Sequence, residues 1–223
     1  MSSYWSSGGS RSRGVAILVK QTEFLRVVSF EHDYTGNLLR VTISFENREY
    51  ILICAYLPCI YASKVEVIQD LRSWIPQGRS VILGGDFNFV DSLTLDRRGS
   101  SCPTRVQGKL QFDTLKNQFD LVDIFRYRYP DKQAFSFNRN DISSRLDRFY
   151  VRSSDASIIQ DISYSPCFFS DHDFVKMDLT SSGDSAPKGK GYWKLNNSLL
   201  KKPDICENIR DFITSFDFGD NMF

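Results

Sequence analysis

The chain divides by the period of its apolar positions. Leu39, Val41, Ile43 and Phe45 alternate with polar neighbours, which predicts a strand at 38–45 with one buried and one wet face. Similar runs at 14–19, 26–30 and 49–56, punctuated by turn residues at 34–37 and 46–48, extend this strand into an antiparallel meander ending at Tyr56-Leu57-Pro58. From 61 to 75 the period lengthens. Val65, Ile68, Leu71, Trp74 and Ile75 fall at helical spacing, and Pro76 and Gly78 supply a stop. Residues 81–88, VILGGDFN, then form a short apolar run that suits a strand buried on both faces. Its two glycines permit a sharp turn or a close approach.

Beyond it, 91–105 reads as a polar loop and 110–119 as a second helix with Leu110, Leu115 and Phe119 on one side. Further strands are expected at 121–125, 134–137, 145–151, 157–163 and 174–179, while residues 1–13 read as a loop. Two β-rich halves, each with one or two helices, predict an α+β or layered α/β sandwich over residues 1–179. The stretch TSSGDSAPKGKG has the composition of a flexible linker at 180–191, followed by a tail at 192–223 with a helix at 204–216.

Composition narrows the class. At 223 residues and 41% hydrophobic, the chain can bury one sizeable core. A net charge of +1 from 28 basic and 27 acidic residues excludes no anionic partner, because the charges can segregate into patches. Five cysteines without a CxxC pair indicate neither a zinc site nor a disulfide framework. No apolar run has the length of a membrane span, and the N-terminus lacks the apolar region of a signal peptide, so an intracellular protein, nuclear or cytoplasmic, is expected.

Candidate chemistry collects where strands begin and end. Asp86 and Asn88 follow the Gly-Gly pair, Tyr56 closes the meander, Asp147 opens a strand in SRLDRFYV, and Asp171-His172 precedes the last strand. Each has a structural alternative. VILGGDFN also reads as an ordinary strand and turn, Asp147 as an ion-pair partner of Arg145 or Arg148, Tyr56 as a core aromatic, and His172 as a surface loop residue. Taken together, Asp86, Asn88 and Asp171 are hard oxygen donors of the kind Mg²⁺ prefers, and Asp147 is available to orient His172. An oxygen-rich set with one histidine suits metal-assisted phosphodiester hydrolysis better than acyl transfer. No GxSxG, P-loop or GxGxxG pattern supports a rival chemistry.

GGDFN, SRLDRFYV and SDHDFV, in this order, resemble the exonuclease–endonuclease–phosphatase superfamily, which includes DNase I and the apurinic endonucleases; GVAILV and AYLP match two further strands. The resemblance covers residues 11–179. In the tail, GYWKLNNSLL resembles the segment that follows the endonuclease domain of LINE-type non-LTR retrotransposon polyproteins, ahead of the reverse transcriptase.

The resemblance implies a DNase I-like four-layer α-β-β-α sandwich lacking its first strand–helix–strand. It implies that Asp86 orients or deprotonates the attacking water, that Asn88 holds phosphate or metal, and that Tyr56 contacts the scissile phosphate. Asp171 takes the metal-proximal role, His172 pairs with Asp147 and meets the phosphate, and Ser136 stands at a usual threonine. The implied cofactor is Mg²⁺ or Mn²⁺, held by Asp86, Asn88 and Asp171. The implied partner is DNA, with Arg97, Arg98 and Arg105 as phosphate contacts and a reverse transcriptase downstream. Two departures stand out: no Glu occupies the position of the family's chief metal ligand, and Cys54 replaces a usual Asn. The expected activity is Mg²⁺-dependent DNA nicking that primes reverse transcription. Two alternatives stay open: a non-catalytic remnant that binds nucleic acid or a partner, and a phosphoesterase of the same fold acting on a phosphoinositide or phospholipid.

Overall fold

The computed structural model describes residues 1–9, 13–20, 22–99 and 107–180. By contacts the chain divides into the units Met1–Ser182 and Gly183–Phe223. The expected linker, tail helix and Arg105 lie outside the described residues.

A six-stranded sheet is the floor of the first unit. Strands β3 (Leu25–His32), β4 (Leu38–Phe45) and β5 (Arg48–Tyr56) form the expected antiparallel meander. β6 (Val81–Asp86) joins β5 in parallel, the geometry that needs the crossover helix α1 (Tyr61–Trp74) between them. β11 (Asp147–Arg152) then pairs antiparallel with β6, and β8 (Leu121–Asp123) closes the far edge.

One face of this sheet packs against α1 and α2 (Lys109–Phe119) through Ile53, Leu57, Ile68, Leu71, Leu83, Leu115 and a cluster of Phe87, Phe89, Phe112 and Tyr150. The second helix turns Phe112, Leu115 and Phe119 inward, whereas Leu110 is exposed, opposite to its expected side. The face of β4 expected to be wet is partly covered. Leu38 joins the helix-side core, and Arg40 donates to the Trp74 carbonyl at 3.2 Å with its guanidinium over the Trp74 ring.

The other face carries two hairpins. The first is β1 (Ser2–Ser6) with β2 (Val15–Val19); residues 2–6 had read as loop, because SSYWS shows no apolar alternation and forms its strand by pairing with β2. The second is β12 (Ile159–Ser165) with β13 (Phe174–Leu179), preceded by a 3-10 turn at Ser153–Ile158 where a strand was expected from 157. Helix α3 (Ile124–Arg128), whose first two residues were expected to end a strand at 121–125, is started by Asp123, whose carboxylate accepts from the Phe125 and Arg126 backbone N–H groups. β7 (Arg97–Arg98), β9 (Phe137–Arg139) and β10 (Ile142–Ser144) make a small separate sheet in which β10 is central.

The hairpin layer is open in the middle. β2 lies over β4 and β5 and β13 over β11, so β6 lies beneath the gap between them. A trough of about 440 Å³ results, walled by Ala16 and Ile17 on one side and Phe174 and Val175 on the other, and floored by Leu52, Cys54, Ile82, Gly84 and Phe149. Among the described residues β2 pairs only with β1, and β13 only with β12. Helices, sheet and hairpins thus supply three layers of an α/β sandwich. No helix of the described residues is long and apolar enough to cross a membrane.

Candidate active site at the sheet end

Strand register brings the sequence-distant residues together. Tyr56 on β5 pairs with Asp86 on β6, and Asp86 pairs with Asp147 on β11. Directly paired residues point to the same face, so one lateral row of the sheet presents a phenol and two carboxylates toward the hairpin layer. The Gly-Gly pair makes this row possible. A Cβ at Gly85, where φ is +141°, would lie 1.9 Å from the Ala55 carbonyl oxygen, and one at Gly84 would strike the Phe149 ring. Only glycine lets β6 run this close to its neighbours.

After Asp86 the chain turns back on it. Asn88 adopts the left-handed conformation (φ 49°), and its backbone N–H and side-chain Nδ2 donate to the two Asp86 carboxylate oxygens, each at 2.9 Å. Asn88 Nδ2 also donates to the Leu57 carbonyl at 2.9 Å, and the Cys59 thiol to Asn88 Oδ1 at 3.3 Å. The Asn88 carbonyl is gripped by the buried ammonium of Lys64 at 2.7 Å.

Asp147 anchors the other half. Its Oδ2 accepts from His172 Nδ1 at 2.7 Å and from Ser136 Oγ at 2.7 Å. A carboxylate accepts, so the bonded Nδ1 carries the proton. Ser136 is fully buried, and its oxygen also accepts from the backbone N–H groups of Leu146 and Asp147. Its hydroxyl therefore braces Asp147. His172 is set by a bridge to Phe137, whose ring it meets edge-on at 5.1 Å, and by the neighbouring Asp173 N–H donating to the Ser136 carbonyl. Asp171 is exposed, and its carbonyl accepts from Asn138 N–H.

The electrostatics follow from this crowding. Burial and the facing Asp147 charge push Asp86 up to about 6, against the bonds from Asn88 and the pull of His172. The hydrogen bond to Asp147 holds His172 above its ordinary value. Burial, then the neighbouring Cys59 and Asp86, push the Tyr56 phenol up, while Arg13, at the entry to β2, pulls it down. Burial takes the Cys54 thiol to about 11, so it serves as an apolar floor residue.

Neither Arg145 nor Arg148 pairs with Asp147. Both are fully buried: Arg145 Nε donates to Asp96 at 2.7 Å and its Nη2 lies 2.7 Å from Asp123, while Arg148 donates to the Phe89 and Arg145 carbonyls and to the Tyr150 hydroxyl. This lattice, which the sequence reading missed, ties the loop after Asn88 to the strand that carries Asp147. Lys64 was missed too, although it sits four residues before Ile68 on the buried stripe of α1. Of the arginines expected to contact phosphate, Arg98 is exposed and stacks over Phe135 at 5.3 Å. Arg97 is buried, with Nη1 3.5 Å from the Ser144 hydroxyl, so a phosphate contact by it is corrected.

The donor set does not fit a divalent cation. Among the described residues no three His, Cys, Asp or Glu side chains are grouped to hold a metal ion, and the Asp86 oxygens, each bonded once by Asn88, keep a lone pair open only to a small neighbour such as water.

Known proteins match this chain in sequence and fold. The Endonuclease/Exonuclease/phosphatase family profile matches residues 2–172. A curated relative, the Transposon TX1 uncharacterized 149 kDa protein of Xenopus laevis, is 31% identical over 208 residues, covering 90% of this chain. The chain spans 15% of that relative's length. Among solved structures, a 3′-5′ exonuclease from Neisseria meningitidis superposes with a TM-score of 0.66 at 16% identity, over 80% of this chain and 79% of its own. A 3′ phosphatase from Neisseria bound to a product DNA hairpin gives a TM-score of 0.62 at 16% identity, over 81% and 79%. At such identities the structures show the fold, a DNase I-like α/β sandwich. With the profile spanning most of the chain, and with Asp86, Asp147 and His172 assembled at one end of that sandwich, the chain belongs to the endonuclease/exonuclease/phosphatase family.

Proposed function

We propose that this chain is a DNA endonuclease domain of LINE retrotransposon type, part of a polyprotein that continues into a reverse transcriptase, and that it handles a DNA phosphodiester at the Tyr56–Asp86–Asp147–His172 row. The observation that carries the reading is the lateral row itself. It sets a carboxylate with a value of about 6 beside a histidine oriented by a second carboxylate. At neutral pH Asp86 is largely ionised, which suits it to orient and deprotonate a water for in-line attack. Asn88 fixes both of its oxygens, so the carboxylate holds one orientation. His172, protonated on the nitrogen facing Asp147, offers Nε2 to the phosphate, where its positive form offsets the charge that builds as the bond breaks. Tyr56, at the outer end of the row, supplies a hydroxyl to the same phosphate.

Nuclease chemistry in this family generally uses a divalent metal, expected as Mg²⁺ or Mn²⁺ at Asp86, Asn88 and Asp171. Because these residues form no such site here, no step is assigned to a cation. The same observation favours a second reading, a domain that binds DNA and leaves it intact. Supercoiled plasmid incubated with the purified chain and Mg²⁺ separates the two. Nicking that disappears in Asp86→Ala and in His172→Ala supports the endonuclease, and salt-sensitive binding without nicking supports the second. Release of inorganic phosphate from a phosphoinositide with no effect on plasmid would overturn both.

A further inference from the structure

Two phenylalanines stand in solvent beside the site. Phe168 is 100% exposed and Phe169 85% exposed, and they precede His172 by four and three residues respectively. Leaving two such rings in water forgoes about 1.5–3 kcal/mol each of burial free energy. The segment that carries them is anchored at both sides. Pro166 fixes its backbone angle on leaving β12, and at the other end Asn138 N–H holds the Asp171 carbonyl at 2.8 Å while Asp173 N–H holds the Ser136 carbonyl at 2.7 Å. The rings therefore project from a fixed base. Phe169 leans edge-on against Phe174, centroids 6.1 Å apart, whereas Phe168 is fully open.

The size of the patch indicates its partner. Two phenylalanines offer about 150–250 Å² each, well short of the roughly 800 Å² per side of a stable protein interface. A flat ring of similar area, a nucleobase, is a matched occupant. The charge around the site agrees: Arg98 and Asn138 both pair with Ser143 or its neighbours in the small sheet, and that sheet holds the Asp171–Asp173 turn through Asn138. An exposed cation, Arg98, and exposed aromatic faces thus both belong to segments tied to the turn that carries His172, a combination that suits unpaired nucleic acid.

We infer that Phe168, braced by Phe169 and Phe174, is a stacking wedge for an unpaired or flipped base next to the phosphate held at His172, so that this domain prefers DNA with a locally open stack over a regular duplex. The inference rests on the DNA reading above and narrows its substrate. Because Phe168 is fully exposed, replacing it leaves the fold intact.

Binding of the full chain to a short duplex carrying one bulged 2-aminopurine, compared with the same duplex fully paired, tests it. The bulged duplex is expected to bind more tightly and its fluorescence to fall as the base stacks. Phe168→Ala loses roughly tenfold on the bulged duplex only, and Phe168→Trp retains the preference. Equal binding of the bulged duplex by wild type and Phe168→Ala overturns the wedge while leaving the DNA reading in place. No binding of either duplex by wild type overturns both. A wild-type dimer in sedimentation that Phe168→Ala dissolves assigns the rings to a second copy of the chain instead.

Discussion

Asp86 and Asp147 face each other across one antiparallel pair of β6 and β11, and each holds its own partner: Asn88 for Asp86 and His172 for Asp147. Two like charges on neighbouring strands oppose each other's ionisation, and the burial of Asp86 makes it the one that yields.

The first prediction concerns stability against pH. Asp86 releases its proton near 6 in the folded state and near 3.9 in the unfolded chain. Between those values the folded protein keeps a proton that the unfolded chain has lost, so stability falls as pH rises through this window. Asp86→Asn removes the charge and keeps an acceptor for Asn88. The variant is expected to exceed wild type by about 1–2 kcal/mol at pH near 8, discounted for partial solvent access. Urea titrations should show the gap closing as pH drops to about 4.

A second prediction isolates the histidine. His172 is raised chiefly by its bond to Asp147, so it adds stability that is fully present below its unfolded value and is lost as pH rises through the folded one. Asp147→Asn should lower the His172 titration midpoint, read from its ring resonances by NMR. The chain has only one other histidine, His32, so His172→Gln assigns the signal. An unchanged midpoint would mean that the pair is not formed in solution.

The third prediction addresses the buried arginines. Asp96 and Arg145 are both fully buried, and Arg145 is divided between Asp96 and Asp123. Removing Asp96 strands part of a buried cation, a loss of about 3–5 kcal/mol. Asp96→Ala should therefore melt far below wild type. The double variant Asp96→Ala with Arg145→Met should recover only part of that loss, because the stranded guanidinium is gone while Asp123 loses its Arg145 partner and Arg126 loses Asp96. Single and double variants compared in a thermal-unfolding cycle measure the coupling.

Legibility from the sequence tracked the strength of local pattern. β4 starts and ends where alternation predicts, and α1 starts where the helical period does, because each carries a buried stripe along its length; β13 also has its expected bounds, with only half-buried and exposed positions. β1 and α3 were hidden for opposite reasons. SSYWS has too few apolar residues to show a period, and Ile124 and Phe125 extend the apolar run from Leu121, so they read as the end of a strand until the Asp123 cap is recognised. In the site, the motif residues were visible as residues, and the structure adds their joining: register alone sets Tyr56, Asp86 and Asp147 in one row. The Arg145 lattice was illegible for a physical reason. A charge in a polar stretch reads as solvated, and only the folded chain reveals that Asp96, 49 residues away, meets Arg145 in a dry interior.

The trough above β6 has a consequence for the chain's behaviour in solution. Its floor is apolar, and β2 and β13 each lack a second strand partner among the described residues. An extended apolar segment meeting this opening gains ladder hydrogen bonds and burial at once, whichever molecule it belongs to. Self-association of this chain through the trough is therefore expected to rise with protein concentration.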